Sequence, residues 1–383
     1  MIYLIPLFIL LIFAINCEYN VTPDPSRNKP IVYVFLSYIG VLMAFRYRLS
    51  LDTINYMEVY HLVKPLNKLS FVEVFEQYEP LNIFLKSLAK NISDEFYVYQ
   101  IFHSIILNIL ISRFIVKNTK YVLFALFFYF LLTALYFNAA IMRESLAIAV
   151  FINAYSYIEK KKWLRYYLCC FIALGFHTSA LITFIIPLFR NLKFNWFYCL
   201  GLIVFVGAIG YFQNQLTFVA EYLDPEARRK LLGYLTGDRF NIYWIIVQLI
   251  NKAAFPFLFF ILYKNIKRSF KYESMILVNI AMGIGSIFLQ IIFQRLANYF
   301  IMFYILMLAE LLPLYKVSKN RVVLMYVMCF FVFTIFYLYY FKSVDSSKMK
   351  DIPQYSSFYP YHSILFKEID PVRERRHSIE FGY

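Results

Sequence analysis

Residues 121–162 read YVLFALFFYFLLTALYFNAAIMRESLAIAVFINAYSYIEKKK, and the placement of charge within them decides the fold. Nothing from 121 to 142 is charged; Arg143 and Glu144 then stand together, a second apolar run follows, and Glu159 with Lys160, Lys161 and Lys162 closes the stretch. An α-helix needs roughly 20 apolar residues to cross hydrocarbon, so two spans are expected, 121–138 and 139–158, joined by a very short turn. A transmembrane barrel would show short alternating segments instead. The fold class expected is all-α, a polytopic α-helical integral membrane protein.

Outward from this pair, similar runs recur along all 383 residues, of which 61% are hydrophobic and only 16% charged. No soluble core could enclose that much apolar surface. Spans are expected at 1–16, 31–45, 96–116, 121–138, 139–158, 163–175, 176–189, 194–212, 241–263, 272–292, 296–315 and 322–341, about twelve, with the short pair at 163–189 meeting near Gly175 and His177. The first run lacks a basic leader and a small-residue cleavage site, so it is read as a span. The chain reads as a single transmembrane domain, 1–383, with larger outer segments at 46–95, 213–240 and 342–383.

The net charge of +15 would suggest nucleic acid in a soluble protein, but here it reports which loops stay inside. With both termini outside, the cytoplasmic loops hold eighteen basic residues against three acids, and the outer segments hold seventeen of each. The excess positive charge is therefore cytoplasmic, and no nucleic-acid partner is expected. The five cysteines lack metal-ligand spacing, so no metal and no cofactor is expected.

Loop charges alone set this topology, yet the unusual polar residues gather on its outer face. Arg46 and Arg48 leave the second span, followed by Asp52, Tyr56 and Glu58; Tyr78, Glu79 and Pro80 precede an amphipathic stretch from Leu81 to Leu88. Arg143 and Glu144 open the fifth span, His177 sits in the short pair, Arg239 ends the large loop, and Arg295 lies between spans ten and eleven. An arginine near a helix end can simply snorkel to the interface. Several from distant parts of the chain, on the side where the positive-inside rule disfavours them, suit an anion, because guanidinium binds phosphate oxygens bidentately and stays charged. His177 is either a packed helix-end side chain or a proton-handling group. Asp52, Glu79, Glu58 and Glu144 are the carboxylates available as a base. Lys252, near the middle of span nine, must face the bundle interior or find a partner.

These elements resemble the EpsG family of Wzy-type polysaccharide polymerases. The likeness rests on Arg46, Asp52 and Tyr56; Tyr78-Glu79-Pro80; Met142-Arg143-Glu144-Ser145-Leu146-Ala147; Phe176-His177-Thr178-Ser179-Ala180-Leu181; Gln294-Arg295-Leu296-Ala297-Asn298-Tyr299; and Tyr359-Pro360-Tyr361, all in order. Leu51 stands where members often carry glycine. The resemblance implies a glycosyltransferase in the bacterial inner membrane with its site on the periplasmic face. It would move a growing glycan from undecaprenyl pyrophosphate to the non-reducing end of a new lipid-linked repeat unit. It further implies catalytic roles among His177, Asp52, Glu79 and Arg143, and substrate contacts from Arg46, Arg143, Arg239, Arg295, Tyr56, Lys252 and Tyr361. The partners it implies are undecaprenyl-pyrophosphate-linked oligosaccharides, membrane lipid and a chain-length regulator. An O-antigen ligase would share the donor, and a lipid-linked oligosaccharide flippase the span count, though a flippase would carry paired charges deep along a path through the bundle.

Overall fold

The computed structural model describes residues 2–70, 74, 79–220, 246–247, 249–267, 269–316, 318–336, 352 and 354–381, and among them it is all-helical, without strands. Each of the twelve expected apolar stretches carries helix. One described helix, Tyr97–Asn118, is by itself long and apolar enough to cross a membrane; Gln290–Asn298 and Ile301–Leu314 meet that test together but bend by 58° at their junction. The other apolar helices are shorter, and many present large hydrophobic side chains outward, among them Leu164, Phe171, Leu188 and Ile203. In a membrane protein such faces meet lipid.

Contacts divide the chain into two compact units, residues 1–183 with 315–383, and residues 184–314. In the first unit α1 (Leu4–Ala14) runs on through a π-turn, Ile15–Tyr19. Asp24 then caps α2 (Pro25–Ala44) by accepting the Ser26 N–H, with Pro25 in the first turn, where a missing N–H costs nothing. The long α5 (Tyr97–Asn118) packs on α2 and on α7 (Met142–Glu159). Small and polar residues draw these helices together: Ser104 donates to the Gly40 carbonyl at 2.8 Å, Asn108 to Asn138 at 3.2 Å and Asn153 to the Leu110 carbonyl at 2.9 Å. A turn of three lysines, with Lys161 at φ 53°, returns α7 into its partner α8 (Trp163–Phe176).

Two shorter helices precede α5. They are α3 (Leu51–Tyr60) and the amphipathic α4 (Pro80–Lys90), which packs on α5 and α8. Between α5 and α7, α6 (Val122–Tyr129) gives way to two π segments, Phe130–Ala134 and Tyr136–Ala140. The last of these is held by α3, since Thr53 donates to the Ala139 carbonyl at 2.7 Å and Tyr56 to that of Ala140 at 3.3 Å. Past α8, a 3-10 turn, Thr178–Leu181, leads into α9 (Ile182–Phe189), so the pair expected at 163–189 is two short helices hinged at His177.

The tail folds back on the segment entering α3. Main-chain bonds join Tyr47 to His362, Ser50 to Ser357 and Ile364 to Phe45, and Arg46 forms an isolated antiparallel bridge with Ser363. The C-terminal helix Pro371–Phe381 packs on α3, and Arg373, 1% exposed, donates to the carbonyls of Ser356, Arg48 and Pro360 at 3.0, 3.1 and 2.6 Å. Glu374 completes the joint by accepting two bonds of 2.6 Å from Arg48.

The second unit holds α10 (Trp196–Ala220), a π segment Ile250–Ala254 leading into α11 (Phe255–Ile266), then α12 (Glu273–Gly285), α13 (Gln290–Asn298) and α14 (Ile301–Leu314). The span expected over 272–292 therefore stops short. Gly285 ends α12, and a Cβ there would sit 2.7 Å from Phe293 of α13, so the ring folds into space that only glycine leaves. Glu310 on α14 accepts from the Tyr263 hydroxyl on α11 at 2.6 Å.

Candidate active site

The cluster is assembled from four stretches of the first unit. Pro80 starts α4, which leaves Glu79 at its N-cap, where the exposed N–H groups favour a carboxylate. Glu79 is buried, and its Oε2 accepts from Arg143 at 2.5 Å. Arg143 stands in the first turn of α7, directly after the π segment that α3 holds in place, and its guanidinium lies 5.5 Å from the centre of the Tyr56 ring. Its side chain keeps 36% of its surface exposed, so the cluster opens at this cation.

His177 ends α8 and caps the following 3-10 turn. The Ser179 N–H donates to Nδ1 at 3.1 Å, and the Ser179 hydroxyl lies 2.6 Å from the same nitrogen. A nitrogen that accepts a backbone N–H carries its lone pair, not a proton. The ring's proton therefore sits on Nε2, which faces Glu79 Oε1 at 3.7 Å. The geometry turns Nε2 toward the carboxylate, at a separation longer than a hydrogen bond.

What seats His177 against Glu79 is Gly175. A Cβ at this position would lie 2.7 and 2.8 Å from Leu81 Cγ and Cδ1, so α8 touches α4 only because residue 175 has no side chain. Tyr99 on α5 steadies α4 from the other side, donating to Asn82 at 2.8 Å.

The structure adds Lys86, absent from the expected set. It lies on α4 only 8% exposed, with its ammonium 5.9 Å from the Tyr56 ring centre and 5.8 Å from that of Tyr99. Burial, reinforced by the neighbouring Arg143 charge and opposed by Glu79, lowers its pKa from 10.5 to about 8. The sequence signal was slight: Asn82, Lys86 and Lys90 recur every four residues beside the apolar stripe of an amphipathic helix.

The remaining expected residues lie elsewhere. Asp52 is in the first turn of α3, one turn before Tyr56. Arg46 is fully enclosed at 0% exposure; its guanidinium donates to the Met43 carbonyl and approaches Met142 Sδ at 3.1 Å, while Gln100 donates to its carbonyl at 3.0 Å. Enclosed in this way, it braces the end of α2 instead of facing a ligand. Tyr361 likewise anchors the tail, donating to the Leu42 carbonyl at 2.9 Å, and burial pushes its hydroxyl up to about 12. In the second unit, Arg295 is half-buried in the last turn of α13, and Lys252 is half-buried in the π segment, whose backbone closely abuts Gly283. Arg239 and Tyr78 lie outside the described residues. No group of three metal-ligating side chains occurs among the described residues.

No curated protein and no solved structure matches the chain. The family model of the EpsG family matches residues 29–363, which include every element of this cluster. The chain belongs to the EpsG family, whose members are membrane proteins resembling Wzy-type polysaccharide polymerases.

Proposed function

We propose that this protein is a polysaccharide polymerase that transfers a growing glycan from undecaprenyl pyrophosphate to the non-reducing end of a new lipid-linked repeat unit, at the outer face of the bacterial inner membrane. The observation that carries the reading is the meeting of Glu79, Arg143 and His177, drawn from three separate motifs, beside the Tyr56 ring. Arg143 stabilises the charge that develops on the departing pyrophosphate, where a fixed, partly desolvated cation acts most strongly. Glu79 orients Arg143, His177 lies beside Glu79, and Tyr56 offers its ring to a sugar. Asp52, one turn away, contacts the acceptor.

This reading includes a single membrane domain of about twelve spans with both termini outside. It is supported by the eighteen-to-three charge bias of the loops read as inner and by the bonding of the tail to residues 45–50, as expected of two segments on one side of a membrane. A chain-length regulator is the expected protein partner. Arg295 and Lys252 are proposed as further substrate contacts, to be tested on their own.

The test is genetic and chemical together. The gene is deleted in its native host and restored as wild type, Arg143→Ala, Glu79→Gln, His177→Ala or Arg295→Ala, with membrane levels matched, and surface glycan length is read on gels. Single lipid-linked repeats that lengthen only with wild type support the proposal. Loss of export of every unit points to a flippase, and long chains that never reach their final acceptor point to a ligase; either result defeats it.

A further inference from the structure

Glycosyl transfer to a hydroxyl needs a group that takes its proton, and the hydrogen bonds of the cluster narrow the choice. His177 Nδ1 is committed to Ser179, and its other nitrogen bears hydrogen. Glu79 is engaged at both oxygens, Oε2 accepting from Arg143 at 2.5 Å and Oε1 facing His177 Nε2 at 3.7 Å. Arg143 does not deprotonate in proteins. Lys86 differs from all three. Among the described residues its ammonium has no hydrogen-bonded or ion-paired carboxylate and is flanked by the rings of Tyr56 and Tyr99, the first of which also receives Arg143.

Resting on the polymerase reading, we infer that Lys86 is the proton acceptor of the transfer step. Its neutral amine takes the hydrogen of the attacking hydroxyl as that oxygen bonds to the anomeric carbon. The bond from that carbon to the pyrophosphate oxygen breaks, and its electron pair leaves with the pyrophosphate. Lys86, now an ammonium, loses its proton to water before the next turn.

The charged and titratable groups around Lys86 set how this depends on pH. They are Glu79 and Lys90 on α4 itself, Tyr56 and Tyr60 on α3, Tyr99 on α5, Arg143 on α7 and His177 at the end of α8; the 3-10 turn Leu66–Lys68 meets the far end of α4, with Lys68 exposed. Arg143 opposes a second cation beside it and Glu79 favours one; burial tips the balance to a value of about 8. Near neutral pH a useful fraction of Lys86 is thus already the free amine.

The experiment uses the full chain in proteoliposomes, with lipid-linked repeat units extracted from the gene-deleted host as the probe, and follows elongation rate from pH 6 to 10. Wild type should speed up as pH rises to about 8 and level off above it. Lys86→Ala and Lys86→Arg should each be slowed ~100-fold or more with that rise gone, in line with loss of a general base. Ethylamine and weaker-base amines should restore Lys86→Ala in order of their basicity. Lys86→Arg with wild-type rate and profile would overturn the inference, since a permanent cation suffices there. So would an Asp52→Asn chain that loses the pH rise while Lys86→Ala keeps it, or a Lys86→Ala chain that is slow yet unmoved by any amine. Wild type that leaves the units single sinks the polymerase reading itself, whereas elongation by wild type with no effect of Lys86 substitution sinks this inference alone.

Discussion

Gly175→Ala adds one methyl group where α8 touches α4, and the structure sets its cost. The new Cβ would lie 2.7 Å from Leu81 Cγ, 2.8 Å from Cδ1 and 3.2 Å from Cβ. Ordinary carbon contacts begin near ~3.5 Å, so the helices must separate by roughly 0.8 Å or Leu81 must leave its rotamer. The near approach of Leu81 Cβ works against the rotamer change, because that atom moves only with the backbone of α4. Overpacking of this kind costs about 1–3 kcal/mol, which a membrane protein can survive. The displacement lands two residues from Glu79, and an error approaching 1 Å in a positioned group can cost ~100-fold in rate. We expect Gly175→Ala to reach the membrane with a modestly lowered Tm but to make greatly shortened glycan. Gly201→Ala is the control, since nothing lies within 4 Å of its Cβ, and it should leave both unchanged or raise Tm slightly. Adding Leu81→Ala to Gly175→Ala should restore chain length in part, giving a non-additive cycle. Full-length glycan from Gly175→Ala at wild-type membrane levels would refute the reasoning.

Three other outcomes follow from separate features. Gly283→Ala would set its Cβ 2.3 Å from the Lys252 carbonyl oxygen, a backbone atom that cannot swing aside, so a loss of about 3 kcal/mol and low membrane levels are expected on blots and melts. Arg373→Ala strands the carbonyls of Ser356, Arg48 and Pro360, and should cost about 3 kcal/mol and release the tail to limited proteolysis; a tail as resistant as wild type would count against that account. For Lys86→Met the direction depends on pH. The folded chain holds Lys86 at about 8 against 10.5 when unfolded, so folding expels a proton between those values, and wild-type stability rises as pH climbs through that window. Lys86→Met lacks this rise, so any Tm advantage it holds should be constant below about pH 8 and shrink toward pH 10.5; parallel melting curves would contradict the burial of the ammonium.

Local pattern made the helices legible because a run of apolar residues long enough to cross hydrocarbon has few other uses. It also exposed Glu79, Arg143 and His177, which stand out as charged or titratable residues at the ends of such runs. What pattern could not show was their contact, because it depends on Gly175 admitting Leu81 and on the π segment, Tyr136–Ala140, that sets the start of α7. Lys86 escaped notice because a lysine on an amphipathic helix ordinarily reads as solvated, and its burial arises from Tyr56 and Tyr99 on two other helices. Arg46 misled for the converse reason. Its place at a span end looked ligand-facing, yet it is enclosed where residue 363 of the tail pairs with it. The break after Gly285 had a sequence sign, a glycine two residues after Gly283 with Phe293 to follow, but only the packed ring reveals its purpose.

The joint between the tail and the entrance to α3 bears on how the protein is made. Arg373 reaches the Arg48 carbonyl across 325 residues of chain, and Glu374 grips the Arg48 side chain across 326. During synthesis, every helix from α1 to α14 can form before the partners of residues 45–50 have left the ribosome. Tyr56 follows on the same segment, so α3 gains its final support only after the tail has been made. Chains released before the tail is made would keep their other helices but have a loose α3.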